Sequence, residues 1–112
     1  MLSQQQRITR GIDYRHVVRR GARCAGATHV MHVVRTDDPR PPRFGFIVSK
    51  AVGNAVTRNT VRRRLKAICL EATPQVRQGA DIVIRALPTA ATTPFAELRS
   101  DILRSIARRA AS

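Results

Sequence analysis

The chain has 112 residues, of which 21 are Lys or Arg and 7 are Asp or Glu, so its formal net charge is +14. The length suits a single domain, and an apolar content of 43% excludes a purely disordered basic tail. No apolar run approaches the roughly 20 residues of a membrane span, residues 1–10 lack the apolar centre of a secretory signal, and two cysteines are too few for a disulfide scaffold, so we expect a cytoplasmic protein.

The charge is unevenly distributed along the chain. Residues 1–66 hold 15 basic and 3 acidic residues, whereas residues 67–112 hold 6 and 4. So high a positive charge on a small surface predicts a polyanionic partner, with nucleic acid ahead of a membrane surface. We expect no membrane partner, because the apolar stripes are needed for the core, and no obligate protein partner is evident.

The patterns in the first half of the chain predict one helix followed by two or three strands. Tyr14, Val17 and Val18 share one face of a predicted helix over residues 12–20. Two β-branched, apolar segments, residues 29–35 and 44–49, are predicted strands. Because a loop with three prolines (residues 36–43) separates them, we expect these strands to form an antiparallel pair.

A long helix is predicted over residues 55–71. At about 100° per residue, one side carries the apolar residues Val61, Leu65, Ile68 and Cys69. The adjoining side carries a cationic ridge, and no acidic residue occurs between Lys50 and Lys66. Leu70 breaks this pattern because it falls near the ridge. The ridge consists of Arg58, Asn59, Arg62, Arg63 and Lys66.

A last strand and a last helix follow. Residues 81–87 are a predicted strand, and residues 94–109 a helix with Thr93 as N-cap and Pro94 in the first position. Parallel pairing of strands 44–49 and 81–87 is expected, since a helix connects them. The fold class is therefore a small α+β single domain over 1–112, with helices on one mixed sheet, residues 1–6 flexible and a core over about 7–110. The buried stripe of the last helix is Phe95, Leu98, Ile102 and Ile106.

The segment over residues 46–65 carries the strongest functional signal. A buried strand ends at Lys50, Gly53 and Asn54 form a turn, and an arginine-rich helix begins. The amides and positive dipole end of a helix N-terminus, combined with clustered arginines, form a phosphate-binding arrangement. A ridge of cations suits a polynucleotide better than a small metabolic phosphate.

Three segments resemble a known family. The central segment, VSKAVGNAVTRNTVRRRLK (residues 48–66), closely resembles the signature of the bacterial ribonuclease P protein component. RITRGIDYRHVVRRGAR (residues 7–23) resembles the opening helix of that family, and DIVIRALP (residues 81–88) resembles its late strand. The resemblance implies an α-β-β-β-α-β-α order with a left-handed strand–helix–strand crossover.

The resemblance also implies a function. Such a protein is the small subunit of a ribonucleoprotein endonuclease that removes the 5′ leader from precursor tRNA. Catalysis resides in the RNA subunit and uses Mg²⁺, which is mostly bound by that RNA. The protein binds the RNA subunit and holds the single-stranded leader in a cleft between the first helix and the sheet. It thereby contributes to formation of the mature tRNA 5′ end.

Site residues follow from the resemblance one position at a time. Gly53 matches the family motif, as do the RNA-binding residues named below. Ala51 and Thr60 depart from that motif, and Val18 stands where the family frequently has phenylalanine. No catalytic or metal-binding residue is expected in the protein itself. The predicted RNA-binding residues are Lys50, Asn54, Arg58, Asn59, Arg62, Arg63 and Lys66, and the predicted leader-cleft residues are Tyr14, Val18, His32, Phe44 and Arg85.

Alternatives remain at this stage. A ribosomal protein or RNA chaperone would explain the charge but not the motif, and an autonomous nuclease would need metal-binding carboxylates, which are few and scattered. Tyr14 is equally suited to core packing and to base stacking. His32 is expected to be a half-exposed strand residue, and His29 to belong to no constellation. No Ser/His/Asp set occurs at an arguable spacing, and both cysteines are expected to be reduced thiols.

Overall fold

The computed structural model describes residues 2–111. Its element order is α-β-β-β-α-β-α, as predicted. Single turns of 3-10 helix cover Gln4–Gln6, Thr73–Gln75 and Pro88–Ala91. The main elements are α1 (Gly11–Arg20), β1 (Ala22–Ala25), β2 (His29–Val34), β3 (Arg43–Ile47), α2 (Ala55–Ala72), β4 (Asp81–Ala86) and α3 (Phe95–Arg109).

The four strands form one mixed sheet in the order β1-β2-β4-β3. β3 pairs with β4 in parallel, as expected for strands joined by α2, with Phe44 opposite Ile82. The predicted antiparallel pairing of β2 with β3 is wrong, because β4 lies between them and pairs antiparallel with β2. All residues of β4 except Arg85 are buried. β2 pairs with one edge of β4 and β3 with the other, so neither edge is free. The hand of the β3–α2–β4 crossover stays a prediction.

The helices cover both faces of the sheet. α2 and α3 pack with Met31, Val33 and Ile84 in the main core. α1 packs on the opposite face, where Val17, Val83 and Ile8 form a smaller cluster. Because successive strand residues alternate between the faces, a shift of one position decides which helix a side chain meets.

The predicted helices match the structure closely, except at the start of α3. Pro94 rather than Thr93 is the N-cap residue, and the Thr93 hydroxyl instead donates to the carbonyl of Thr89 at 2.7 Å. Leu98 and Ile102 are buried, whereas Phe95, predicted to be buried, is 41% exposed. Phe95 is the first residue of α3, and its neighbours Pro94 and Ala96 are exposed as well.

The N-terminal segment runs along the free edge of β3. The Ile8 amide donates to the carbonyl of Phe44 at 2.8 Å, and Arg7 forms a parallel bridge with Phe44. We expected the core to begin near residue 7, but Leu2 is 1% exposed and belongs to the main core. Met1, part of the segment predicted to be flexible, and Ser112 lie outside the described residues.

Candidate nucleic-acid interface

The turn before α2 is built by two residues of the central motif. Gly53 has a φ of +156°, and a Cβ there would lie 2.8 Å from Cγ2 of Thr57. The Asn54 side chain caps α2, because its Oδ1 accepts from the Thr57 amide at 2.9 Å. Both residues thus set the direction in which the helix leaves the sheet. A role of Asn54 in binding RNA stays a prediction.

The cationic face of α2 points away from the core, as predicted. Arg62 is held in place, since it donates to Oδ1 of Asn59 at 3.2 Å and to the carbonyl of Val48 at 3.4 Å. Nε of Arg58 is buried without a hydrogen-bond partner among the described residues. Ion pairs with described acidic residues are absent for Lys50, Arg58, Arg62, Arg63, Arg64 and Lys66. These cations remain available to an anionic partner.

Leu70, which broke the helical pattern, borders a depression on this face. Leu70 is 36% exposed, although α2 continues beyond it to Ala72. The depression has a volume of about 390 Å³ and combines apolar with cationic lining side chains, a combination that suits a nucleotide. Its lining residues are Asn59, Arg62, Arg63, Lys66, Ala67 and Leu70.

Tyr14 connects α1 to the edge of the sheet. Its hydroxyl accepts a hydrogen bond from the Phe46 amide at 3.1 Å. Its ring covers Gly45, where a Cβ would lie only 2.6 Å from the ring. Tyr14 is therefore half-buried and held by β3, which matches the packing interpretation; stacking on a leader base stays a prediction.

Two depressions flank Tyr14. The first, of about 230 Å³, lies between the N-terminal segment and α2 and is lined by Arg7, Thr9, Arg62 and Lys66 among others. The second, of about 350 Å³, lies between α1 and the sheet and forms the predicted cleft. It brings together Tyr14, Val18 and Arg85 with three residues that the sequence reasoning missed, Arg15, Arg19 and Ile47.

Of the predicted cleft residues, Phe44 lies on the other face of the sheet and His32 is more buried than expected. Phe44 is 1% exposed and packs in the main core, on the sheet face opposite α1, although it borders the smaller depression. A side chain in that position cannot line the cleft beneath α1. His32 lies on the α1 face, since it is paired with Arg23 and Val83, but it is 8% exposed rather than half-exposed.

The His32 ring is buried near two arginine charges. Burial lowers the pKa of His32, and the charges of Arg85 and Arg23 lower it further. Its Nδ1 has no hydrogen-bond partner among the described residues. Arg85, by contrast, is the exposed residue of β4. The alternation of the strand therefore places Arg85 in the cleft.

A second polar cluster, which the sequence reasoning missed, connects α3 to β2. His29 is completely buried, with Nδ1 3.1 Å from Oδ2 of Asp101 and Nε2 2.8 Å from Oγ of Ser105. A carboxylate only accepts, so Nδ1–H donates to Asp101 and Nε2 accepts from the Ser105 hydroxyl. The Cys24 thiol donates to Ser105 at 3.6 Å. The expectation that His29 belongs to no constellation is therefore wrong, and the Ser/His/Asp grouping joins residues too far apart in sequence to show a spacing.

The surroundings of this cluster indicate a structural role. Asp101 also accepts from the amide of Thr28 at 2.9 Å and from its hydroxyl. Burial tends to raise the pKa of Asp101, but these hydrogen bonds and His29 outweigh it, and the pKa is lowered. Burial lowers the pKa of His29 despite the opposing effect of Asp101. Ser105 is only 4% exposed, so its hydroxyl is closed to a substrate.

The described part of the chain holds neither a cluster of metal-ligating side chains nor a helix that could span a membrane. Residues 2–111 contain no group of three or more His, Cys, Asp or Glu side chains that could hold a metal ion. All acidic side chains except Glu97 pair with an arginine. Within the same residues, the helices are too short or too polar to cross a membrane.

Comparisons with known proteins agree on one family. A sequence model of the family described as Ribonuclease P matches residues 2–110. The Ribonuclease P protein component of Clavibacter michiganensis subsp. michiganensis is 46% identical over 108 residues, which cover 96% of each chain. That of Kocuria rhizophila is 45% identical over 107 residues, covering 96% of this chain and 94% of the relative.

Solved structures show the same fold. The RNase P protein of Staphylococcus aureus superposes with a TM-score of 0.83 at 21% identity, covering 92% of this chain and 94% of that one. The RNase P protein of Thermotoga maritima gives a TM-score of 0.82 at 20% identity, covering 91% and 96%. At such low identity the agreement concerns the fold alone, and it confirms the predicted α+β class.

Proposed function

The chain belongs to the ribonuclease P protein component family, and from this premise we propose that it binds the RNA subunit and the single-stranded 5′ leader of precursor tRNA. Membership in the family implies a role in tRNA 5′ processing and an RNA subunit as partner. In the proposal, the cationic face of α2 contacts the RNA subunit and the cleft beneath α1 holds the leader. The protein thereby raises the affinity of the holoenzyme for precursor tRNA.

One observation carries the proposal: the cationic face of α2 opens directly into the cleft region. Arg62 and Lys66 line both the depression on α2 and the one beside Tyr14. Tyr14 in turn lines the cleft. An RNA subunit bound on α2 and a leader bound in the cleft would therefore come together at Arg62, Lys66 and Tyr14. This place would lie next to the junction between the leader and the tRNA.

We assign the endonucleolytic step to the RNA subunit and its Mg²⁺ ions. Asp13, Asp81, Glu71 and Asp101 already accept from arginine or from buried donors, and the described residues hold no group of three or more ligands that would suit the ion. Phosphate oxygens of the RNA would supply the hard oxygen ligands that Mg²⁺ prefers. The protein acts by binding RNA and by offsetting the charge of its phosphates. A cytoplasmic location is proposed because both RNA partners would be there.

Reconstitution tests the proposal. The protein is combined with its ribonuclease P RNA subunit at low Mg²⁺, and cleavage of precursor tRNA is measured with each component alone and with both. We expect cleavage to need the RNA and to be stimulated by the protein. Cleavage by the protein alone, no stimulation, or equal affinity for unrelated RNAs would contradict the proposal, the last outcome favouring an RNA chaperone.

Arg58→Ala tests the assignment of α2. Because the cation contributes phosphate contact and counterion release, we expect affinity for the RNA subunit to fall by about tenfold at physiological salt. Arg108→Ala removes the same charge from an exposed position in the last turn of α3 and serves as control. Equal affinities of the two variants would contradict the assignment.

A further inference from the structure

The outer face of α1 carries a fourth depression, which neither the proposed RNA-binding face nor the cleft includes. It has a volume of about 280 Å³ and is lined by Ile12, Arg15, His16, Arg19 and Arg20. All five side chains are exposed, and Ile12 is 60% exposed. An exposed isoleucine surrounded by cationic and imidazole side chains offers both apolar contact and phosphate binding.

This depression continues the cleft. Arg15 and Arg19 line both of them, just as Tyr14 joins the cleft to the depression at the N-terminal segment. Each of the four depressions therefore shares at least one lining residue with the next. This path begins on α2, runs past the edge of β3 where Ile8 pairs with Phe44, follows the groove between α1 and the sheet, and ends on the outer face of α1.

Most basic side chains on the outer face of α1 have no acidic partner among the described residues. Asp13 is the acidic residue of α1, and it pairs with Arg10 at 3.1 Å. Arg15, Arg19 and Arg20 form no ion pair with an acidic residue among those described. Self-repulsion among such cations costs stability, which an anionic partner on this face would offset.

We propose that the outer face of α1 binds the part of the precursor tRNA leader farthest from the cleavage site. The inference rests on the proposed function, which places the RNA subunit on α2 and the leader in the cleft. A strand that leaves the cleft away from α2 meets Arg15 and Arg19 first and then His16 and Arg20. Arginine binds its phosphates, and Ile12 packs against a ribose or a base.

The proposal predicts that leader length determines which residues matter. Two precursor tRNAs are compared, with leaders of about 4 and about 16 nucleotides, which bracket the site sizes of single-strand binding domains. The short leader ends within the cleft, whereas the long one reaches the outer face of α1. Affinity is measured with the complete holoenzyme.

Arg20→Glu is the test variant, because Arg20 lines only the outer depression. Arg108→Glu is the matched control, since both residues lie in the last turn of a helix and both reversals change the charge equally. We expect Arg20→Glu to weaken binding of the long-leader substrate by about tenfold and of the short-leader substrate by less than about twofold. Arg108→Glu should leave both nearly unchanged.

Three results would overturn the proposal. They are equal effects of the two variants on the long-leader substrate, equal effects of Arg20→Glu on both leaders, and a matching loss of affinity for the RNA subunit alone. The last result would place the RNA subunit on this face. The short-leader substrate with the unaltered protein separates the two proposals, because absence of stimulation there contradicts the proposed function itself. Thermal melting of each variant verifies that it folds.

Discussion

α2 and α3 lie on the same face of the sheet and both are rich in arginine, but they use these residues differently. On α2, five cations from Arg58 to Lys66 face outward without an acidic partner among the described residues. On α3, Arg99 pairs with Glu71 and Arg104 with Asp101, and Arg108 and Arg109 in the last turn lack an acidic partner among the described residues. The neighbours of an arginine therefore decide whether its charge serves the fold or remains available to RNA, and net charge alone does not distinguish the two.

The largest expected effect concerns the α3 side. Asp101→Ala removes the acceptor of His29 Nδ1 and of the Thr28 amide and hydroxyl. Because buried donors would then lack partners, we expect the free energy of unfolding to fall by about 3–5 kcal/mol, as measured by urea denaturation. Glu97→Ala, an exposed change on the same helix, is the control. A loss below about 1 kcal/mol would show that the cluster is not the anchor of α3.

The next effect concerns binding and contrasts the two helices directly. Arg63→Ala with Lys66→Ala removes two charges from α2, and Arg99→Ala with Arg108→Ala removes two from α3. We expect only the α2 pair to weaken RNA-subunit binding by about tenfold or more and to reduce the slope of log K against log salt by about one per lost phosphate contact. Equal slopes for both pairs would mean that net charge, not position, determines binding.

The smallest effect is a pH dependence of stability. Burial lowers the pKa of both His29 and His32 in the folded state, whereas the unfolded chain binds these protons near pH 6.5. The unfolded state thus binds more protons below that value, so we expect the free energy of unfolding to decrease as the pH falls from about 7 to about 5. Asp101, whose pKa is lowered, contributes stability that is lost only at lower pH, below about 4.

His29→Gln separates the contribution of His29 to this pH dependence from those of His32 and Asp101. The variant should show a shallower decrease of stability between about pH 7 and pH 5, whereas His16→Gln on the exposed face of α1 should keep the full decrease. Stability that rises on acidification in this range would contradict the direction assigned to both buried histidines.

Much of the fold follows from local patterns. α2 was predicted over residues 55–71 and is observed at Ala55–Ala72, because its apolar positions recur at helical spacing beside a continuous cationic face. The parallel pairing of β3 with β4 follows from the helix that connects them. The position of β4 between β2 and β3 is a choice among strand neighbours, and only the packing of the whole sheet decides it.

The candidate site divides in the same way. The cationic face of α2 follows from helical spacing within one segment, whereas Tyr14 and Val18 were proposed for the cleft from the family resemblance. Phe44 was misplaced because a strand residue one position along faces the opposite side of the sheet. The cluster of His29, Asp101 and Ser105 joins residues more than 70 positions apart, a distance at which a single sequence carries no spacing signal.

Charge, helices and family membership therefore follow from the amino-acid sequence, because these properties depend on composition, short-range periodicity and a contiguous motif. Contacts within the folded molecule set which arginines are paired, which face of the sheet each strand residue occupies and which residues the four depressions share. These outcomes depend on contacts between distant segments, such as Leu2 in the main core and Tyr14 over Gly45.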